Sequence, residues 1–126
     1  MSVFVDADVL IGVLRDAPGA NQSVAEARLR DPRLLSVAPV RTEILRGMRP
    51  GEEAPTAGLL NIVEWVSVDV ALADRAGELG REYRQSHQGI EIVDLLLAAA
   101  AERFGARLLT RNVRHFPMVP GLRPAY

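Results

Sequence analysis

The chain of 126 residues contains no cysteine and no lysine. Without cysteine there is no disulfide, no thiolate nucleophile and no thiolate-ligated zinc, which fits a reducing cytosol. Without lysine, every mechanism that needs a Schiff base or a lysine phosphate clamp is excluded. All 15 basic residues are arginine, and they nearly balance 16 acids to leave a net charge of −1. No global basic field therefore announces a nucleic-acid partner. Aromatic residues make up only 5%. No leader segment is expected, because a strand begins at Val3, and the longest apolar run, 92–101, is too short to span a bilayer.

What remains is an ordinary globular composition, 48% hydrophobic and 25% charged, of a length expected for one domain, 1–126. Short apolar runs at 3–5, 34–37, 65–68 and 107–109 read as strands, and Met118-Val119 as a further edge strand. Between them lie helical stretches. Val9, Leu10, Val13 and Leu14 form one inward face. A second helix covers 21–30, with Ser23 and Glu26 spaced as a capping box. A third starts at Pro39 and stops at Gly47, a loop covers 49–55, and a short helix ends near Glu64. Asp69 caps an amphipathic helix with Leu72, Ala76, Leu79 and Tyr83 inward. Another helix ends at Phe104-Gly105. Alternating helices and short, uninterrupted apolar strands predict an α/β fold whose mainly parallel sheet is covered on both faces. Ligands of such sheets bind at the carboxyl ends of the strands. That places Asp6, Asp8, Thr110 and Asn112 on the functional edge.

The run Ile90–Ala101 has one carboxylate, Asp94, in the middle of its apolar residues. An unpaired buried carboxylate costs several kcal/mol or is forced to protonate. On a helix its neighbours are Ile90, Glu91, Leu97 and Ala98, none of them basic. Two carboxylates about 5 Å apart repel by about 3 kcal/mol at an effective dielectric near 20. Either an arginine or a divalent cation must compensate. Asp6 or Asp8 is explained by helix capping, but not both. Glu43 suits the start of its helix, and Asn112 and Thr110 suit a turn. Only Asp94 has no local account short of a salt bridge. Together, Asp6, Glu43, Asp94 and Asn112 form an oxygen-only donor set of the kind that binds Mg²⁺ or Mn²⁺.

Four segments carry a resemblance. Val3-Phe-Val-Asp6-Ala-Asp8, Thr42-Glu43-Ile-Leu-Arg-Gly47, Ile92-Val-Asp94-Leu-Leu-Leu and Leu109-Thr110-Arg-Asn112-Val-Arg-His-Phe116 are similar to motifs of the PIN-domain ribonucleases. Within that family, the order and spacing resemble the VapC-type toxins of bacterial toxin–antitoxin pairs. The resemblance spans nearly the whole chain. It implies a three-layer α/β/α sandwich, a Mg²⁺- or Mn²⁺-dependent endoribonuclease acting on an RNA substrate, a homodimer, and inhibition by a cognate antitoxin. It makes Asp6, Glu43 and Asp94 the acidic metal site, with Asn112 in the fourth position and Thr110 beside it. Two departures stand out. Asn112 occupies a position that is often Asp, and Asp8 one that is usually a small polar residue. Arg46, Arg111 and Arg114 are candidates to contact the RNA backbone. His115 is expected to pack the final loop.

Two other readings share some of these features. An apolar strand followed by Asp6-Ala-Asp8 also opens haloacid-dehalogenase-like phosphatases, but those enzymes generally need a basic phosphate clamp and a late pair of acids. No acid follows Glu102 here. A PIN fold that has lost catalysis and only binds a partner is the other reading. Target RNA, the number of metal ions, the roles of Asp8 and Glu91 and the antitoxin surface have no local signature, although helices near 21–30 and 52–64 are candidates for partner contact.

Overall fold

The computed structural model describes residues 1–126. Four strands, β1 (Ser2–Val5), β2 (Arg33–Val37), β3 (Glu64–Val66) and β4 (Arg107–Leu109), form one sheet in the order β3-β2-β1-β4, every pair parallel. Six helices flank it: α1 (Ala7–Leu14), α2 (Ala20–Arg30), α3 (Ala38–Arg46), α4 (Glu53–Ile62), α5 (Val70–Tyr83) and α6 (Ile92–Phe104). This is the expected three-layer α/β/α arrangement. Parallel strands need crossover helices, and those helices cover both faces of the sheet, so strands β1 and β2 have no polar face. Val3, Phe4 and Val5 are all fully buried.

β1 is the hub. Its register sets Val3 opposite Leu34 on one side and Arg107 on the other, and Phe4 opposite Leu35 and Leu108. The ladder runs one residue past the strand, where the Asp6 amide donates to the Leu109 carbonyl at 2.9 Å. The Ser36 hydroxyl donates to the Val5 carbonyl at 2.7 Å, fixing β2 at the same level. Helix α6 packs across β1, β2 and β4 with α5 against its outer side, and α1 gathers α2, α3 and α4. The alanine run of α6 lets this helix lie close to the sheet, with 96–101 all buried. Phe104 meets Phe4 edge-on, with ring centroids 5.3 Å apart.

Several boundaries differ from the sequence reading. Ser23 is not a cap. Helix α2 begins at Ala20 behind Gly19, whose φ of 88° suits a residue without Cβ, and the Ser23 hydroxyl donates to the Ala125 carbonyl instead. Helix α4 starts at Glu53, inside the expected loop, because Pro55 falls in its first turn, where no amide donor is needed. β3 is shifted to Glu64–Val66, leaving Ser67 and Val68 outside the sheet. Met118-Val119 adds no strand: it lies in turns between Pro117 and Pro120, which lack the donors a ladder needs. Helix α6 starts only at Ile92, which is 75% exposed, so Ile90 and Glu91 precede it.

Leu97 is fully buried in α6 beneath the sheet. Leu97→Ala is expected to cost about 2–5 kcal/mol of stability, measured by urea unfolding.

Candidate active site

The parallel topology brings separate segments to one edge. β1 ends at Asp6, β2 runs into α3 and its Glu43, and β4 ends at Thr110. Helix α6 leads back into β4 through Gly105, so its first turn lies at the same carboxyl edge and carries Asp94 there. The site is therefore a consequence of chain direction, as in other sheets of this class.

Asp6 is the N-cap of α1. Its Oδ1 accepts from the Ala7 amide at 2.8 Å and its Oδ2 from the Thr110 hydroxyl at 2.9 Å. It is only 8% exposed. Burial, reinforced by the charge of Asp8, pushes its carboxyl up to about 7 against the pull of the Thr110 and Ala7 bonds. Asp8 lies in the first turn of α1, where Oδ2 accepts from the Arg111 amide at 3.0 Å. Its Oδ1 is buried with no donor at all. Burial raises the Asp8 pKa as well. Glu43 is raised by burial, then by the charges of Asp94 and Glu91.

Asp94 does have a local account, which corrects the sequence reading. It is the N3 residue of a capping box, with Oδ2 accepting from the Glu91 amide at 2.9 Å while the Glu91 side chain returns the bond. No guanidinium reaches it. The base that does is His115, with Nδ1 2.9 Å from Asp94 Oδ2. Burial still raises the Asp94 pKa, against the Glu91 and His115 interactions that lower it. His115 thus does more than pack the final loop. Nothing local marked it, because its partner lies 21 positions away on another element.

The Asn112 amide nitrogen is also 2.9 Å from His115 Nδ1. One ring nitrogen cannot both donate to a carboxylate and accept from an amide. The charge-assisted bond to Asp94 is the stronger, so the Asn112 amide is left free to serve another partner. Backbone geometry holds Asn112 in place, since its own N–H donates to Thr110 Oγ1 at 3.0 Å. Thr110 is fully buried and ties Asp6 to Asn112 through one hydroxyl.

Asp6, Asp8, Glu43 and Asp94 thus share one electrostatic neighbourhood, and Asn112 joins it through its backbone bond to Thr110. As they stand, no three His, Asp or Glu side chains are arranged to hold a metal ion. Each carboxylate except Glu43 is turned onto its own donors. The donor chemistry nonetheless fits a hard divalent cation: the set is oxygen-only, acid-rich, without a paired guanidinium, and leaves Asp8 Oδ1 orphaned.

The chain belongs to the PIN domain family, whose profile matches residues 3–122. It is 40% identical to Ribonuclease VapC19 of Mycobacterium tuberculosis over 122 residues, covering 97% of this chain and 98% of that protein. It is 37% identical to Ribonuclease VapC10 of the same organism over 124 residues, covering 98% and 92%. In three dimensions it superposes on a chain of a toxin–antitoxin complex from Klebsiella pneumoniae with a TM-score of 0.83, 22% identity and 98% coverage of both chains.

The raised pKa of Asp6 fixes the sign of a pH effect. In the unfolded chain Asp6 ionises near 3.8, and in the fold near 7. The folded state therefore binds the extra proton, and the stability this confers is complete below the unfolded value and is lost as pH rises through about 7. In chelated buffer the wild type is expected to be less stable at pH 8 than at pH 5. Asp6→Asn should reduce that difference by about 1–3 kcal/mol, read by urea unfolding at both pH values. An equal pH dependence in both proteins would contradict this account of Asp6.

Proposed function

We propose that this protein is a divalent-metal-dependent endoribonuclease, the toxin of a toxin–antitoxin pair. The observation that carries the reading is the crowded acidic cluster at the carboxyl edge of a PIN sheet, with Asp6 raised to about 7 and Asp8 Oδ1 lacking any donor. The names of the relatives, both ribonucleases, supply the reaction class. The phosphatase alternative is not favoured, since the family is PIN and no lysine or late acid pair exists.

In this reading Asp6 and Asp94 would be the principal ligands of Mg²⁺ or Mn²⁺, with Glu43 and Asn112 completing the set and Asp8, whose Oδ1 has no partner, restoring the charge that Asn112 lacks. A divalent ion there supplies charge neutralisation at the scissile phosphate and acidifies bound water. The chain's own residues do the rest. Thr110 holds the Asp6 carboxylate by its hydroxyl, and the Glu91 amide and His115 hold that of Asp94. Glu43, less buried than Asp6 and with a raised pKa, is suited to orient the attacking water and take up its proton. The Asn112 amide, free of a committed partner, is suited to donate to a phosphate oxygen.

The antitoxin and a second copy of the chain are the expected protein partners. The solved complexes of similar fold include VapBC of Salmonella typhimurium bound to DNA. Exposed apolar residues support such contacts: Leu29 on α2 and Ile62 on α4 are 85% and 50% exposed.

Cleavage of single-stranded RNA is expected with Mg²⁺ or Mn²⁺ and not with EDTA. Asp94→Asn and Asp6→Asn should each lower the rate by about a hundredfold or more, on the scale of losing electrostatic stabilisation of the transition state. Cleavage that survives chelation would remove the metal from the mechanism. Mn²⁺ should also raise the melting temperature of the wild type and not that of the Asp6→Ala/Asp94→Ala variant.

A further inference from the structure

Most arginines near an acid are spent on it. Arg15 pairs with Glu52, Arg33 with Glu64, Arg75 with Glu78 and Glu102, Arg103 with Asp69, and Arg107 with Asp31. Arg111 differs. Its backbone amide donates to Asp8, which anchors it between Thr110 and Asn112, but its guanidinium is in no ion pair and lies over the Tyr126 ring, 4.6 Å from the centroid. Stacking on an aromatic face uses the π surface of the guanidinium and leaves its N–H edge unspent. An arginine held this way is oriented, and although its charge acts on the nearby Asp8 carboxylate, no contact ion pair takes up its N–H edge.

The ring is itself held. The Ala125 amide donates to the Thr110 carbonyl at 2.8 Å, and the Ala125 carbonyl accepts from the Ser23 hydroxyl at 2.8 Å. The residue before Tyr126 is thus clipped both to the end of β4 and to α2. Two glycines shape the slot for Tyr126. A Cβ on Gly12 would collide with its hydroxyl, and one on Gly19 would lie 3.0 Å from its Cβ. The slot, the clip and the stacked arginine are one assembly that ends beside Asp8.

We propose that Tyr126 is a positioning residue that presents Arg111 to a phosphate of the RNA backbone, on the β4–α1 side of the acidic cluster. This rests on the nuclease reading above. It deepens that reading by selecting Arg111 among the unpaired arginines and by assigning a role to a residue outside the four motifs. Tyr126 touches no reacting atom and acts only through Arg111.

The test is steady-state cleavage of a fluorescein-labelled single-stranded RNA of mixed sequence with Mn²⁺, with the wild type run alongside. Arg111→Ala is expected to raise KM about five- to tenfold while kcat stays within about twofold, the pattern of lost phosphate binding. Tyr126→Leu, which fills the slot without a π face, should raise KM about two- to fivefold. Tyr126→Phe, which keeps the ring, should restore KM to within about twofold of the wild type. In the Arg111→Ala background, Tyr126→Leu should add no more than about a tenth of its single effect, because the two act as one unit. Binding of the same RNA without divalent ions should show the salt slope reduced by about 0.7 in Arg111→Ala, one phosphate contact on a single strand.

Unchanged KM and salt slope in both variants, with the wild type cleaving normally, would overturn the assignment and leave the nuclease reading standing. Additive effects of the two substitutions would overturn it as well. So would a Tyr126→Leu loss confined to kcat and melting temperature, since Tyr126 would then be merely structural. A wild type that cleaves no RNA in any metal would instead sink the nuclease reading on which the assignment rests.

Discussion

Parallel pairing of β1 on both of its edges is the constraint from which the site follows. A central strand in parallel register with β2 and β4 delivers the chain to one edge of the sheet three times, at Asp6, at the start of α3 and at Thr110. The helix that returns to β4 must then run the other way, which brings its first turn, with Asp94, to that same edge. Residues from four distant parts of the sequence meet because of direction alone. An antiparallel pairing of β1 with β4 would send Thr110 and Asn112 to the opposite end of the molecule.

Gathering acids in this way works against stability, and the fold offsets part of that cost locally. Asp6 receives a backbone amide and a buried hydroxyl. Asp94 receives the Glu91 amide at the positive end of α6 and the His115 ring. Asp8 receives one amide and leaves its second oxygen without a donor. For Asp6, Asp8 and Asp94, desolvation still outweighs the bonds, and the pKa values stay raised. A purely structural cluster would be expected to recruit a guanidinium. Five arginines in this chain form ion pairs elsewhere on the surface, and the two whose charge is felt in the cluster, Arg111 at Asp8 and Arg46 at Glu43, form no ion pair there. The cluster therefore stays electrostatically strained, with burial as the largest cause at each of these carboxyls.

Much of the architecture was legible in the linear pattern. The uninterrupted apolar runs at 3–5 and 34–37 signalled strands buried on both faces, and Asp69 and Gly105 marked helix ends that the structure reproduces. Errors arose where a local signal had a distant competitor. Ser23 and Glu26 have capping-box spacing, yet Ser23 bonds to Ala125 from the other end of the chain. Met118 and Val119 have strand-like side chains, yet the flanking prolines deny them a ladder. Asp94 looked unexplained because its neighbours were counted on a helix assumed to begin two residues too early. Once the helix starts at Ile92, Asp94 becomes its N3 acid.

By itself, the sequence determined the fold class, the identity of the acids and the place of Asp6 and Asp8 where the first strand gives way to a helix, because periodicity and capping are written in neighbouring residues. Only the tertiary structure decided which base answers Asp94, which oxygen of Asp8 is stranded, and that Arg111 rests on Tyr126 instead of on an acid. Each of those is a contact between residues far apart in the chain. Such contacts depend on register, chain direction and side-chain packing, none of which any short stretch of residues encodes.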